Sequence, residues 1–138
     1  MTSKQTRVGM GFDAHRYLST QNGSTNTVIL CGIEVPSTYD IEANSDGDVG
    51  LHAIIDALLG SVDAGDIGMH FAPGDTQWKG ARSSMFLKHA LAIVHEKGDE
   101  LINIDITIIA EKRYISSYRE LCVKNSASYY LLASDALV

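Results

Sequence analysis

Positive charge is scarce in this chain. Eleven Lys and Arg stand against 17 Asp and Glu, for a formal net charge of −6 at pH 7. A sequence-independent grip on nucleic acid or on an anionic membrane needs a positive field, so neither is an expected partner. Any phosphate-bearing ligand must be held locally, by metal ions, backbone N–H groups or a few placed side chains. Long apolar runs are missing too. The longest, Val28–Cys31 and Ile106–Ala110, fall far short of the roughly 20 residues that span a bilayer. Met1–Arg7 is short and polar and has neither the apolar core of a secretory signal nor the Arg-rich pattern of a transit peptide, so a soluble, cytoplasmic protein is expected. There are only two cysteines, Cys31 and Cys122, which without an export signal are read as reduced thiols. Repeats, low-complexity tracts and linkers are absent, and 138 residues with 45% apolar content fit a single domain over 1–138.

The periodicity predicts strands over Val8–His15 and Thr27–Val35, joined by the polar stretch Ser19–Asn26, with Pro36 ending the second. At Ser45 the period changes. Ser45 with Asp48 makes a capping-box-like start, and Val49, Ala53, Ile54, Ala57 and Leu58 form the apolar stripe of a helix ending around Gly60–Gly65. Asp66–Gly80 has the composition of a functional loop. A second helix is predicted from Ser83 to Lys97, with Met85, Leu87, Leu91 and Val94 on or near its buried face and Gly98 as the stop. Ile102–Ala110 alternates as a half-buried strand. Beyond Glu111 the signal weakens: Tyr118–Val123 starts a helix, and Ser126–Ala133 is either a strand or a short helix. This order gives an α/β (α+β) sandwich, one sheet with helices packed on one face.

Asp13 and His15, two apart on a strand, share a face, and a helix packed beside the strand end brings His52 to them. Three ligands of O, N and N type leave a fourth tetrahedral position open, as in a catalytic zinc site. The other reading of these residues is polar strand-end side chains satisfied by hydrogen bonds. Asp48 and Asp56 lie four residues either side of His52; either orients its ring, or Asp48 caps the helix and Asp56 is solvated or at a subunit contact. His70, His89 and His95 have no spacing that asks for a ligand role.

Arg7–His15 resembles the opening strand of the 2-C-methyl-D-erythritol 2,4-cyclodiphosphate synthases. The run Ser45-Asp46-Gly47-Asp48-Val49-Gly50-Leu51-His52-Ala53, then Asp56–Gly60 and Gly65-Asp66-Ile67-Gly68, is similar to that family's most specific stretch. Trp78–Ala81 with Ser83 and Ser84, and Asn103–Ala110, extend the likeness to about residue 118.

The resemblance implies a homotrimer with active sites at the subunit interfaces, and a cytidine diphosphate substrate carrying a 2-phosphate. It implies zinc on Asp13, His15 and His52, with Mg2+ or Mn2+ at the diphosphate. Substrate contacts would come from Asp13, Ala14, His15, Asn44 and Ser45, then Asp66, Ile67 and Gly68 at the methylerythritol hydroxyls. Phe71, Ala72, Pro73, Gly74 and Asp75 would line the same pocket, and Ala110, Tyr114, Ile115 and Ser116 would hold the cytidine part. Asn44 stands where the family has a transition-state-stabilising histidine, and asparagine can donate a hydrogen bond but cannot become cationic. The family's C-terminal block, rich in threonine and carrying a G-F-T-G-R run, has no counterpart here, so that part of the domain is expected to be incomplete.

Overall fold

The structure, a computed structural model, describes residues 5–20, 26–111 and 115–135, the last six by backbone only. It is an α+β arrangement. Its elements are β1 (Tyr17–Ser19), β2 (Asn26–Leu30), β3 (Ile33–Ser37), β4 (Tyr39–Ile41), α1 (Val49–Ser61), α2 (Ile67–His70), α3 (Ser83–Glu96) and α4 (Arg119–Asp135).

Helices α1 and α3 pack together through Leu51, Ile54, Ile55, Leu58 and Leu59 on one and Phe86, Leu87, Ala90, Leu91 and Val94 on the other. The spacing is that of one helix face, and burying each large aliphatic chain is worth about 1.5–3 kcal/mol. Met85 falls off this face and is 44% exposed, so Phe86 takes the inward place expected of it. Helix α1 begins at Asp48, whose carboxylate accepts from Leu51 N–H at 2.9 Å. The cap is therefore Asp48 and not Ser45.

The predicted strand Thr27–Val35 is two strands. Cys31 and Gly32, both at positive φ (50° and 78°), form a tight turn that pairs β2 with β3. Pro36 lies inside β3 opposite Thr27. Counting from the turn, this is a non-hydrogen-bonded pair, where proline's missing N–H costs nothing. A second ladder pairs β1 with β4. The cysteines, both free and buried, lie under the hairpin with Leu30 and Val35. Burial pushes the Cys31 thiol up to about 12. The C-terminal stretch, ambiguous in sequence, is one helix of 17 residues, tied to the hairpin where Asn125 Nδ2–H donates to the Cys31 carbonyl at 2.7 Å.

Instead of one sheet, the described residues hold two separate two-stranded ladders. Segments 8–15 and 104–110 alternate in exposure, but neither enters a ladder, and Ile102, expected on the inward row, is 75% exposed. The reason is spacing. Residues 5–11 and 98–107 face each other across a cleft of about 960 Å³, floored by Ala53, Ala57 and Leu58 of α1. Strand pairing needs neighbours about 4.8 Å apart. Segment 8–15 instead lies against α1, where a side chain at Gly9 would collide with the Ala57 carbonyl and one at Gly11 with the Ala53 carbonyl. No helix of the described residues is long and apolar enough to cross a membrane.

Gly11→Ala is expected to destabilise the fold by about 1–3 kcal/mol, the range for overpacking against immobile backbone, read from urea unfolding. Asp48→Ala should cost at least as much, since three backbone N–H groups lose their acceptor at once.

Candidate metal centre

Three elements meet at the N-terminal end of α1. The extended segment supplies Asp13 and His15, whose side chains, two residues apart, leave the same face. The first turn of α1 supplies His52, buried at 8% exposure. Asp13, His15 and His52 each offer one ligand atom, all within 4.8 Å of one another. Asp13 Oδ2 lies 2.9 Å from His15 Nδ1 and 3.0 Å from His52 Nδ1, and the two imidazoles sit 5.2 Å apart.

His15 Nδ1 is buried and, despite its closeness to Asp13, makes no hydrogen bond among the described residues. A buried polar atom with an unused lone pair is costly unless something takes it. A divalent cation between one carboxylate oxygen and two ring nitrogens would take it, and O,N,N is a donor set that such ions accept. The residues therefore fit a metal.

Without a cation the acid and the imidazoles balance each other. Burial disfavours charge on Asp13, but the two imidazoles against it outweigh that and hold its carboxyl well below the usual range. The Asp13 carboxylate raises His15 above its ordinary 6.5, against a smaller effect of burial.

Behind His52, on the side away from Asp13, Nε2 lies 2.7 Å from Ser83 Oγ and 3.2 Å from Ser45 Oγ. Both serines stand in the motifs of the chain, but no periodicity puts either of them on this ring. The two carboxylates considered for that role are used elsewhere. Asp48 accepts N–H groups from Cys31, Gly32 and Leu51, and Asp56 accepts from Ile67 N at 2.8 Å. Spacing on a helix face placed both near His52; Asp48 instead caps α1, as its other reading had it, and holds the hairpin turn, and Asp56 is taken by the backbone ahead of α2.

A model of the YgbB family matches residues 6–137. The chain belongs to the YgbB family. A bifunctional IspD/IspF enzyme of Caulobacter vibrioides is 47% identical over 118 residues, covering 86% of this chain and 30% of that protein. The chain thus spans about a third of the length of such bifunctional relatives. The bifunctional IspDF of Campylobacter jejuni superposes with a TM-score of 0.81 at 35% identity, over 90% of this chain and 32% of that one. A 2C-methyl-D-erythritol-2,4-cyclodiphosphate synthase in its CDP-bound form superposes at 0.74 with 32% identity, over 90% and 79%. The resemblance read from the motifs is correct.

The remaining positions named from the YgbB motifs are placed as follows. Asn44 is exposed, and its carbonyl accepts from Gly80 N at 2.8 Å. Ser45 lies beside His52. Ala14 faces outward. Asp66 caps α2, accepting from Met69 N at 2.9 Å, with Ile67 and Gly68 following in that helix. Asp75 caps the short turn Thr76–Trp78, while Ala72, Pro73 and Gly74 are exposed. Phe71 is pinned between Phe86 at 4.2 Å and Trp78 at 5.2 Å. His70, given no partner in sequence, bonds the Ala64 carbonyl through Nε2 and meets His89 through Nδ1 at 3.1 Å. Ala110 is half-buried, as is Ile115, and Ser116 is exposed. Tyr114 lies outside the described residues.

A raised His15 stabilises the metal-free fold below its ordinary 6.5, and that share is lost as pH rises through the raised value. A depressed Asp13 contributes above its ordinary 3.8, and that share is lost as pH falls. Urea midpoints of metal-free protein should therefore be lower near pH 8.5 than near pH 6, and Asp13→Asn should shrink the difference.

Proposed function

We propose that this protein is a metal-dependent phosphorus–oxygen lyase of the non-mevalonate (methylerythritol phosphate) route to isoprenoids. It would convert 4-diphosphocytidyl-2-C-methyl-D-erythritol 2-phosphate to 2-C-methyl-D-erythritol 2,4-cyclodiphosphate and CMP. The observation that carries the reading is the convergence of Asp13, His15 and His52, in a YgbB-family chain, on one point.

In this reading Asp13, His15 and His52 hold Zn2+, and a second ion, Mg2+ or Mn2+, attends the diphosphate. When bound, the zinc supplies Lewis-acid polarisation of a phosphate and a template for its alignment. The bond-making is internal to the substrate. An oxygen of the 2-phosphate attacks the β-phosphorus, the bond to the bridging oxygen breaks, and CMP leaves, so no protein nucleophile is required. The chain's task is positioning, which can lower such a barrier by several kcal/mol. Asp66, Ile67 and Gly68 meet the methylerythritol hydroxyls, and Phe71–Asp75 line that pocket. Support for a fixed pocket wall comes from the Phe71, Trp78 and Phe86 rings, which anchor this loop to α3. Asn44 and Ser45 face the phosphates, and Ala110, Tyr114, Ile115 and Ser116 take the cytidine part.

The single domain would work as a homotrimer in the cytoplasm, with sites at the subunit interfaces. Supporting this is the outward row Val8, Met10 and Phe12, at 89%, 89% and 81% exposure. Large apolar side chains left so open in a row mark an interaction surface. A second reading, a trimer that binds metal and nucleotide but turns over poorly, is favoured by Asn44, whose amide cannot become cationic.

CMP release from the 2-phosphorylated substrate, with zinc and magnesium present, separates the two. The lyase reading expects metal-dependent release, abolished in His52→Ala. A folded, zinc-bearing protein that binds substrate and releases no CMP would establish the second reading instead.

A further inference from the structure

Asp46 and Ser83 supply no ligand atom, yet they sit directly behind the metal centre. Ser83 is fully buried at the start of α3. Its backbone N–H donates to Asp46 Oδ2 at 2.9 Å, and its hydroxyl bonds Asp46 Oδ1. Asp46 is itself held: its N–H donates to the Ala81 carbonyl at 3.0 Å, and Oδ1 also accepts from Asp48 N at 3.2 Å. The Ser83 oxygen then lies 2.7 Å from His52 Nε2.

The protons in this chain of contacts can be assigned. A carboxylate has none to give, so the single hydroxyl proton of Ser83 points to Asp46. Ser83 Oγ can then only accept from the ring, and Nε2 of His52 must be the nitrogen that carries N–H. Ser45 Oγ, 3.2 Å from the same atom, provides a second acceptor. With Nε2 holding its proton, Nδ1 is the ring atom left to give up its proton to a cation, and it lies 3.0 Å from Asp13 Oδ2, within the cluster that His15 completes.

We propose that Asp46 and Ser83 are a positioning pair that fixes the His52 ring and its tautomer, so that Nδ1 is presented to the metal. The inference rests on the metal-centre reading above and extends it to two residues outside the ligand set. The linkage spans the fold: Asp46 precedes α1, Ser83 opens α3, and the His52 ring that Ser83 meets belongs to α1. Partners of this kind typically change metal affinity about 10–100-fold when removed.

The test uses protein with 15N-labelled histidine, in unmodified form and as Ser83→Ala, Asp46→Asn and the control Ser84→Ala. Zinc affinity is measured by chelator competition, the Co2+-loaded site by its visible absorption, and the His52 proton by ring 15N shifts. In unmodified zinc-loaded protein the proton is expected on Nε2. Ser83→Ala and Asp46→Asn should each weaken zinc about 10–100-fold and alter the Co2+ spectrum, while Ser84→Ala leaves both unchanged. A folded Ser83→Ala protein with unchanged affinity and Co2+ spectrum would overturn the pair while leaving the metal centre intact. A His52 proton found on Nδ1 in unmodified protein would overturn it even if the variants fail to fold. Unmodified protein that binds neither zinc nor Co2+ would sink the metal centre, and the pair with it.

Discussion

The fold turns on one buried carboxylate. Asp48 is wholly inaccessible, and its two oxygens gather N–H groups from Cys31 and Gly32 in the β2–β3 turn and from Leu51 in the first turn of α1. Burial pushes its carboxyl up, and the three backbone donors act against that rise. The arrangement satisfies donors at two sites that have no other acceptor: a helix start and a turn whose positive φ at Cys31 points its N–H inward. One side chain thereby fixes the hairpin to the helix. It also sets the helix phase, since His52 N–H bonds the Asp48 carbonyl as α1 begins. A start one residue later would rotate His52 by about 100° and turn it from Asp13.

The segment Asn44–Asp48 is held from its other end as well. The Asn44 carbonyl takes Gly80 N–H, the Ala81 carbonyl takes Asp46 N–H, and Asp46 takes both polar groups of Ser83. The strap therefore joins the hairpin, α1 and the start of α3 through polar contacts, alongside the apolar α1–α3 core. Local contacts of this density hold ligand geometry to the tolerance that metal binding requires.

How much of this was readable depends on whether the cause was local. Both helices lie where the spacing put them, but of the stripe expected on α1 only Ile54 and Leu58 are buried; Val49, Ala53 and Ala57 are half-buried, and Leu51, Ile55 and Leu59 complete the core face. The spacing of Asp13, His15 and His52 put two of them on one face and the third on the next long helix but left hydrogen-bonded polar side chains as the other reading; the resemblance is what singled the three out. The hairpin was hidden because Val28–Val35 is apolar apart from Gly32 and Glu34, and only the Cys31–Gly32 pair marks the reversal. Helix α4 was ambiguous because its buried positions include Cys122 and Ser126, small residues that leave a faint stripe. The contact between Asp46 and Ser83 crosses 37 positions and follows no period at all. The expected single sheet failed for a similar reason: alternation specifies which face a residue takes but not which strand lies beside it.

That alternation binds the metal centre to the outer surface. From Gly9 to His15 the inward positions are Gly9, Gly11, Asp13 and His15, and Met10 and Phe12 point out. A slip of one residue would exchange the two sets, placing apolar side chains against His52 and Asp13 and His15 in solvent. The glycines decide how deep the segment sits. With no Cβ at 9 or 11, its backbone approaches the Ala57 and Ala53 carbonyls of α1. Since His52 precedes Ala53 on that helix, the depth at Gly11 fixes how close Asp13 and His15 come to it. A small residue two places before Asp13 therefore governs how closely Asp13, His15 and His52 gather, without touching any of the three side chains.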